Sequence, residues 1–389
     1  MKYVLFLCVY FILFNSIAQQ NVPESEKEKK KTSIAPGLNN NNVETPPAQE
    51  VRKRDDKGYS MDSSNKPSSS ESQLNQQRYV SANASFQQSY SSAKKLSSRR
   101  SPTHEEQLDL NMRLETMRST NSSGFEYQLA EYQIGNHDVS KIEFLNEAER
   151  LNPNDKEVQL QLTAYHEIIG STKKNTYLKK LDGSKYFSND LINYARIVLS
   201  SLPQNAVLIT HGVDDTYPIW IAQSIQGWRK DISVISLDLL QSDEYRGKLK
   251  RQGFQLPTTS FVDTKFLQDF IRMNAQKSLH VSMTVPVPYL RSVQSYLEIE
   301  GLSFTTKSAD PGSKNLLIYK QLLNELDNVS TPSTEIGKQL QMNYAPMLLV
   351  IRNTAEINEN KELKKKVEKQ LLDIAKSAGK TEQMKKIMK

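Results

Sequence analysis

The sequence predicts an α/β protein in which a small three-layer parallel sheet is flanked by N-terminal and C-terminal helices and preceded by a long disordered arm. Three observations predict it. From about residue 186 helical and strand patterns alternate, which implies right-handed crossovers and a sheet covered on both faces. Before that point, from His104, and again after residue 312, the apolar residues recur only at helical spacing. Between residues 19 and 103 aliphatic side chains almost vanish.

The chain opens on Met1 and Lys2, followed by an apolar stretch from Tyr3 to Phe14 that is short for a bilayer span and ends at Ser16-Ile17-Ala18, a small-x-small cleavage pattern. Residues 1–18 therefore read as a secretory signal peptide. Cys8, the one cysteine, lies inside this stretch behind Leu7 and leaves with it, so the mature chain carries no thiol, no disulfide and no lipid anchor by that route. No later stretch approaches the roughly 18 apolar residues of a membrane helix, so no transmembrane segment is expected in the mature chain.

Residues 19–103 run from Lys/Glu-rich through Asn-rich to Ser/Gln-rich sequence. Such a composition buries too little apolar area to offset chain entropy, and the segment is expected to be a disordered tether. Its tyrosines, Tyr59, Tyr79 and Tyr90, are either partner contacts or incidental.

Order is expected from His104. Leu110, Leu114 and Met117 mark a short amphipathic helix before the break at 121–124. Within 104–185, Phe125, Tyr132, Ala148 and Pro153 fall where a tetratricopeptide repeat places its two aromatics, its packing alanine and its helix-ending proline, within the period of about 34 residues. The match is degenerate: Gln128, Leu129 and Lys141 occupy positions where that repeat prefers leucine, glycine and alanine. Helices are expected over 156–169 and 173–181.

The α/β region, 186–312, begins with a helix at 191–202, stopped by Pro203, and a buried strand at 206–210. A helix at 218–228 and a second strand at 233–237 follow. Then come helices at 242–252 and 264–275, a third strand at 279–284, a helix at 289–299, and an edge strand near 302–307, parallel or antiparallel. This order gives the sheet a Rossmann-like character. The C-terminal region, 313–389, holds helices over 313–328, 333–354 and 360–376, the last with an apolar stripe of Leu363, Val367, Leu371 and Ile374.

The run from Leu208 to Trp220, LITHGVDDTYPIW, followed by Gln223, Gly227, Arg229, Asp231-Ile232 and Tyr245, resembles the soluble C-terminal domain of large Bacteroidetes membrane proteins that are themselves similar to protein O-mannosyltransferases. Their motif is a strand, Gly-Asp-Asn-Asp-Thr, and an aromatic-Pro-Leu-Trp helix returning through Gly-x-Arg-x-Asp-Val. A second landmark is 280–285 with Glu300-Gly301-Leu302. The resemblance covers about 130 residues. Val213 stands where the family prefers an acidic residue, and His211 precedes the glycine. The membrane-embedded half that would bind a lipid-linked sugar has no counterpart in these residues, so the resemblance implies a fold and a bacterial phylum, with the periplasm as destination, and not glycosyl transfer.

In an open parallel sheet ligands sit beyond the carboxyl ends of the strands, where His211, Asp214, Asp215, Thr216 and Trp220 fall after the first strand. Asp214 and Asp215 with His211 would bind a divalent cation or position a sugar hydroxyl against Trp220; Arg229 completes the candidate set. The competing reading makes Asp215 or Thr216 the cap of a helix whose first turn holds Pro218. Trp220 and Trp228 are expected on one face of that helix.

Other chemistry is unsupported. No glycine-rich phosphate loop follows either strand, no Gly-x-Ser-x-Gly elbow occurs, and the five histidines are scattered with no His-x-x-x-His pair. No cofactor is expected, and the identity of any metal stays open. The chain is basic, with pI near 9.1, but its lysines spread along the chain among acidic residues, and no aromatic-plus-basic motif marks a nucleic-acid surface. Two functions remain. One is a non-catalytic periplasmic interaction protein docked on an envelope complex for secretion, gliding motility or glycosylation, a docking that allows outer-membrane association. The other is a glycan- or metal-binding α/β domain accessory to O-glycosylation.

Overall fold

A computed structural model describes residues 69–93, 102–306, 310–327 and 332–389. The expected signal peptide and most of the expected arm lie outside these residues. Within the arm, however, Ser69–Ala93 forms a helix, α1. Its apolar face is thin, but Ala82, Phe86 and Ala93 share a small core with Leu110, Leu114, Met117, Tyr127, Ala130 and Ile134. Tyr79 donates to Glu126 at 2.7 Å and Tyr90 stacks on Phe86 at 5.9 Å, so two of the arm's tyrosines serve internal packing. Composition understates order here because the helix buries its few large side chains against a partner far along the chain.

Helix α2, His104–Asn121, starts on a capping box in which Thr103 Oγ1 accepts the Glu106 N–H and Glu106 accepts the Thr103 N–H. Two helix pairs follow: α3 (Phe125–Gln133) with α4 (Ile142–Leu151), and α5 (Lys156–Ile168) with α6 (Lys174–Gly183). Tyr132, Leu145, Ala148, Val158 and Leu162 form their shared core. The second pair also joins the main core: Leu160, Ala164, Ile168, Leu178 and Leu181 cluster with the sheet residues, so the hydrophobic interior runs unbroken across residue 185.

The remaining elements are α7 (Asn189–Ser201), β1 (Val207–Thr210), α8 (Val213–Ser224), β2 (Ser233–Ser236), α9 (Asp243–Arg251), α10 (Thr264–Met273), β3 (Leu279–Ser282), α11 (Val287–Val293), β4 (Glu298–Glu300), β5 (Ser303–Thr305), α12 (Pro311–Asp327), α13 (Glu335–Gln341), α14 (Ala345–Ile357), α15 (Lys361–Ser377) and α16 (Thr381–Met388). Ser188, Ser242 and Asp263 cap α7, α9 and α10 by accepting backbone N–H groups from the first turn.

The five strands form one mixed sheet in the order β2-β1-β3-β5-β4. β1 pairs in parallel with β2 and β3, while β5 runs antiparallel to both β3 and β4. The expected parallel sheet thus holds for β2, β1 and β3, while β5, whose direction the sequence left open, is antiparallel and interior, not at the edge. β4 is the edge on that side, and its first two residues, Glu298 and Ile299, fall in the helix expected over 289–299. The physical reason lies in Gly301. At φ 61° it opens a two-residue turn that sets Glu300 opposite Ser303, and the hairpin so formed captures 298–300 as a strand.

The helix expected at 218–228 is displaced. α8 begins at Val213 behind Gly212, whose φ of 69° turns the chain out of β1, and Pro218 sits inside it. Trp228 lies beyond its end and is 40 % exposed, so the two tryptophans do not share a helix. The long helix expected over 333–354 is two, α13 and α14, separated by a 3-10 turn at Met342–Tyr344, and α16 was not anticipated. On α15, Val367 and Leu371 are buried and Leu363 and Ile374 pack against the same core, as the stripe required.

Candidate functional site

The chain leaves β1, crosses to β2 on one side, and returns to β3 on the other. The carboxyl end of β1 is therefore a topological switch point, the place where ligands sit in open α/β sheets. Polar side chains from all three parallel strands meet there. Thr210 Oγ1 lies 2.9 Å from Thr216 Oγ1, and Asp215 accepts from the His211 N–H at 3.0 Å and from Ser282 Oγ at 3.0 Å. Ser282 Oγ also lies 2.8 Å from Thr284 Oγ1. From the end of β2, Asp238 accepts the Gly212 N–H.

Two carboxylates thus occupy the backbone N–H groups of the β1–α8 turn, the position where a phosphate would lie in a dinucleotide fold. Burial pushes the Asp215 carboxyl up to about 6 despite the hydrogen bonds from His211, Thr284 and Ser282, and the nearby Asp238 adds to the rise. Ser282 bonds Asp215 directly and His211 enters through its backbone, so these three do not form a relay in which histidine stands between hydroxyl and carboxylate.

Of the residues expected at this site, His211, Asp215 and Thr216 are brought together and buried. Asp214 is exposed on the first turn of α8, turned away from Asp215, so the two aspartates do not converge on one cation. Among the described residues no group of three or more His, Cys, Asp or Glu has the arrangement of a metal site. Neither Asp215 nor Thr216 is the N-cap: Gly212 holds that place, and Asp215, in the first turn, reaches back to the His211 N–H. Trp220 is 2 % exposed, packed on Tyr217 with ring centroids 5.0 Å apart and covered by the Lys174 ammonium at 5.1 Å. It is core, not a sugar platform.

Arg229 stands at the opposite end of the strands. It pairs with Asp231 at 2.8 Å and donates to the carbonyls of Leu199, Leu202 and Pro203, closing the C-terminal end of α7. Its role is to fix that helix beside the turn into β2. Asp238, Ser282 and Thr284 escaped the sequence reading, although the strand-end rule applied to β2 and β3 as well as β1 points to all three.

A second cluster joins the helical region to this turn. Tyr217 Oη donates to the Leu160 carbonyl at 2.8 Å, and Glu167 on α5 accepts from Lys174 at 2.6 Å and from Lys248 of α9 at 2.7 Å. Glu157, bonded by Gln161 at 2.7 Å and Gln133 at 3.3 Å, is held above the usual carboxylate range by burial. Tyr186, 40 % exposed, lies in the electrostatic field of Glu157, Asp214 and Asp155.

A family model described as TMEM260-associated domain 2 matches residues 191–387. The chain belongs to that family. The match begins within α7 and runs through α16, so it takes in the whole sheet, the β1–α8 turn and the C-terminal helices. TMEM260-associated domain 2 fits the O-mannosyltransferase-like resemblance carried by the LITHGVDDTYPIW run. No curated protein and no solved structure matches the chain. Among the described residues no helix is long and apolar enough to cross a membrane.

Proposed function

We propose that this chain is a non-catalytic interaction protein of the Bacteroidetes periplasm, docked on an envelope machine for secretion, gliding motility or glycosylation, with O-glycosylation favoured by the family. The observation that carries this reading is the use of the turn's chemistry by the fold itself. Two carboxylates at the switch point, the buried Asp215 and the half-buried Asp238, bond the turn's own backbone, which is the work of a structural latch. The degenerate tetratricopeptide-like helices would act as the adaptor and the Rossmann-like three-layer α/β unit as its support.

The test is co-purification from mildly cross-linked envelope extracts of the native host, comparing the wild-type chain with Asp214→Ala. An envelope partner set enriched over an unrelated tagged protein and retained by the variant is the expected result. Absence of such a set defeats the reading.

A second reading, glycan binding, is favoured by Tyr186. Tyr186, 40 % exposed and within electrostatic range of Asp214, offers a sugar a stacking face, and the exposed Asp214 carboxylate a hydroxyl acceptor. Glycan-array binding lost in Tyr186→Ala and Asp214→Asn with an unchanged melting curve would establish it over the first.

A further inference from the structure

Of the chain's net charge of +7, +6 falls in its last 29 residues, where ten lysines face four carboxylates. The even spread of lysines along the sequence conceals this, because elsewhere acidic residues balance them. On α15 the folding face is Val367, Leu371 and Ala375, all buried. Lys361, Lys365, Lys369 and Lys376 are exposed. At 3.6 residues per turn these four fall within a sector of about 80°, a stripe about 22 Å long. Glu362 and Asp373 border one edge of it. Just before it in sequence, Ile357, the last residue of α14, is 71 % exposed, with Glu356 and Glu359 exposed to either side of it in the chain.

We infer that this face docks on an anionic phospholipid bilayer. A row of lysines on a convex helix face matches a plane of negative headgroups, and an apolar side chain just before it in sequence finds a place at the headgroup boundary that an aqueous polyanion does not offer. A single-stranded nucleic acid would want aromatic rings to stack on, and residues 345–389 contain no Phe, Tyr or Trp. The apolar face of α15 is committed to the core, so attachment is by adsorption of charge with Ile357 as the one apolar contact, and it is salt-sensitive.

The experiment is flotation of the full chain with vesicles of phosphatidylcholine alone and of phosphatidylcholine mixed with phosphatidylglycerol. The first set absorbs whatever residues 3–14 contribute to lipid binding. Retention is expected to rise with phosphatidylglycerol and to vanish near 1 M salt, where the screening length falls to about 3 Å. Neutralising the stripe with Lys361→Gln/Lys365→Gln/Lys369→Gln/Lys376→Gln, which preserves helix propensity, should weaken the phosphatidylglycerol-dependent binding several hundredfold, at about fivefold per lysine. Ile357→Ser should weaken it several-fold. An unchanged far-UV melt shows that both variants fold. Equal retention on the two vesicle types, or full retention by the quadruple variant, overturns the inference. So does stripping by a single-stranded oligonucleotide at equal phosphate combined with no effect of Ile357→Ser, which would make the face a general polyanion surface.

Discussion

The Asp215 carboxylate accepts the hydroxyl of Ser282 at 3.0 Å, a bond that joins the first turn of α8 to the end of β3 across 67 residues. Asp215 is 8 % exposed, and its value of about 6 lies above the roughly 3.9 of an unfolded aspartate. The native state therefore holds this proton more tightly. Its stabilising contribution is complete below about pH 4 and is lost as pH rises through about 6, a change of about 3 kcal/mol. His280, pushed down to about 4 by burial and by Lys314, acts oppositely in the overlapping window, stabilising at high pH and losing that contribution as pH falls from about 6.5 to about 4. Asp215→Asn isolates the first effect while keeping an acceptor for the His211 N–H. Thermal melts across pH 4 to 8 should show its stability relative to wild type increasing with pH; a gap independent of pH would show that this carboxyl does not titrate as described.

The bond from Tyr217 Oη to the Leu160 carbonyl ties the α/β unit to helix α5 from within the core. Tyr217→Phe removes one buried hydrogen bond while preserving the ring, and should cost about 1 kcal/mol. Hydrogen exchange is expected to quicken in α5 and α6 more than in the sheet.

The two tryptophans should separate cleanly. Trp220→Ala empties a fully packed position and is expected to destabilise by about 3 to 5 kcal/mol. Trp228, 40 % exposed with its indole N–H on Ser200 Oγ at 3.1 Å, should cost about 1 kcal/mol when truncated. Denaturant midpoints of the two single variants measure the difference, and similar costs would show that Trp228 is buried in solution.

Gly301 carries two constraints at once. Its φ is 61°, and a Cβ there would meet Ser201 Cβ at 2.7 Å and the Ser201 carbonyl at 3.1 Å. Gly301→Ala should destabilise by about 2 to 4 kcal/mol, combining left-handed strain with a backbone clash. Equilibrium unfolding checks the size, and a neutral result would mean that the β4–β5 hairpin does not lie against α7 as described.

The candidate site was half legible. The apolar strand at 207–210, the polar turn after it and the aspartates near the helix start are all local patterns, and the turn was found by them. Which aspartate faces inward was not local: Asp214 and Asp215 are adjacent and chemically alike, and only the start of α8 at Val213 rotates one to solvent and the other onto Ser282. Arg229 looked like part of the same motif by proximity in sequence, yet helix α8, running back along the sheet, placed it at the other end of the strands. The helix α1 was missed because its core partners lie on α2 and α3, and composition records how much apolar surface a segment has but not what meets it.

The sequence by itself determined the alternation of helices and strands from 186 and the buried stripe of α15, because each depends on residues within one or two turns of one another. Tertiary structure alone decided that the sheet is mixed, that β4 is an edge strand, that the turn's carboxylates close on their own backbone, and that the core is shared with α5 and α6. Those outcomes depend on contacts between residues as distant as Leu160 and Tyr217 or Ser201 and Leu302. Burial and hydrogen bonding across such separations outweigh the local propensities that a pattern can read.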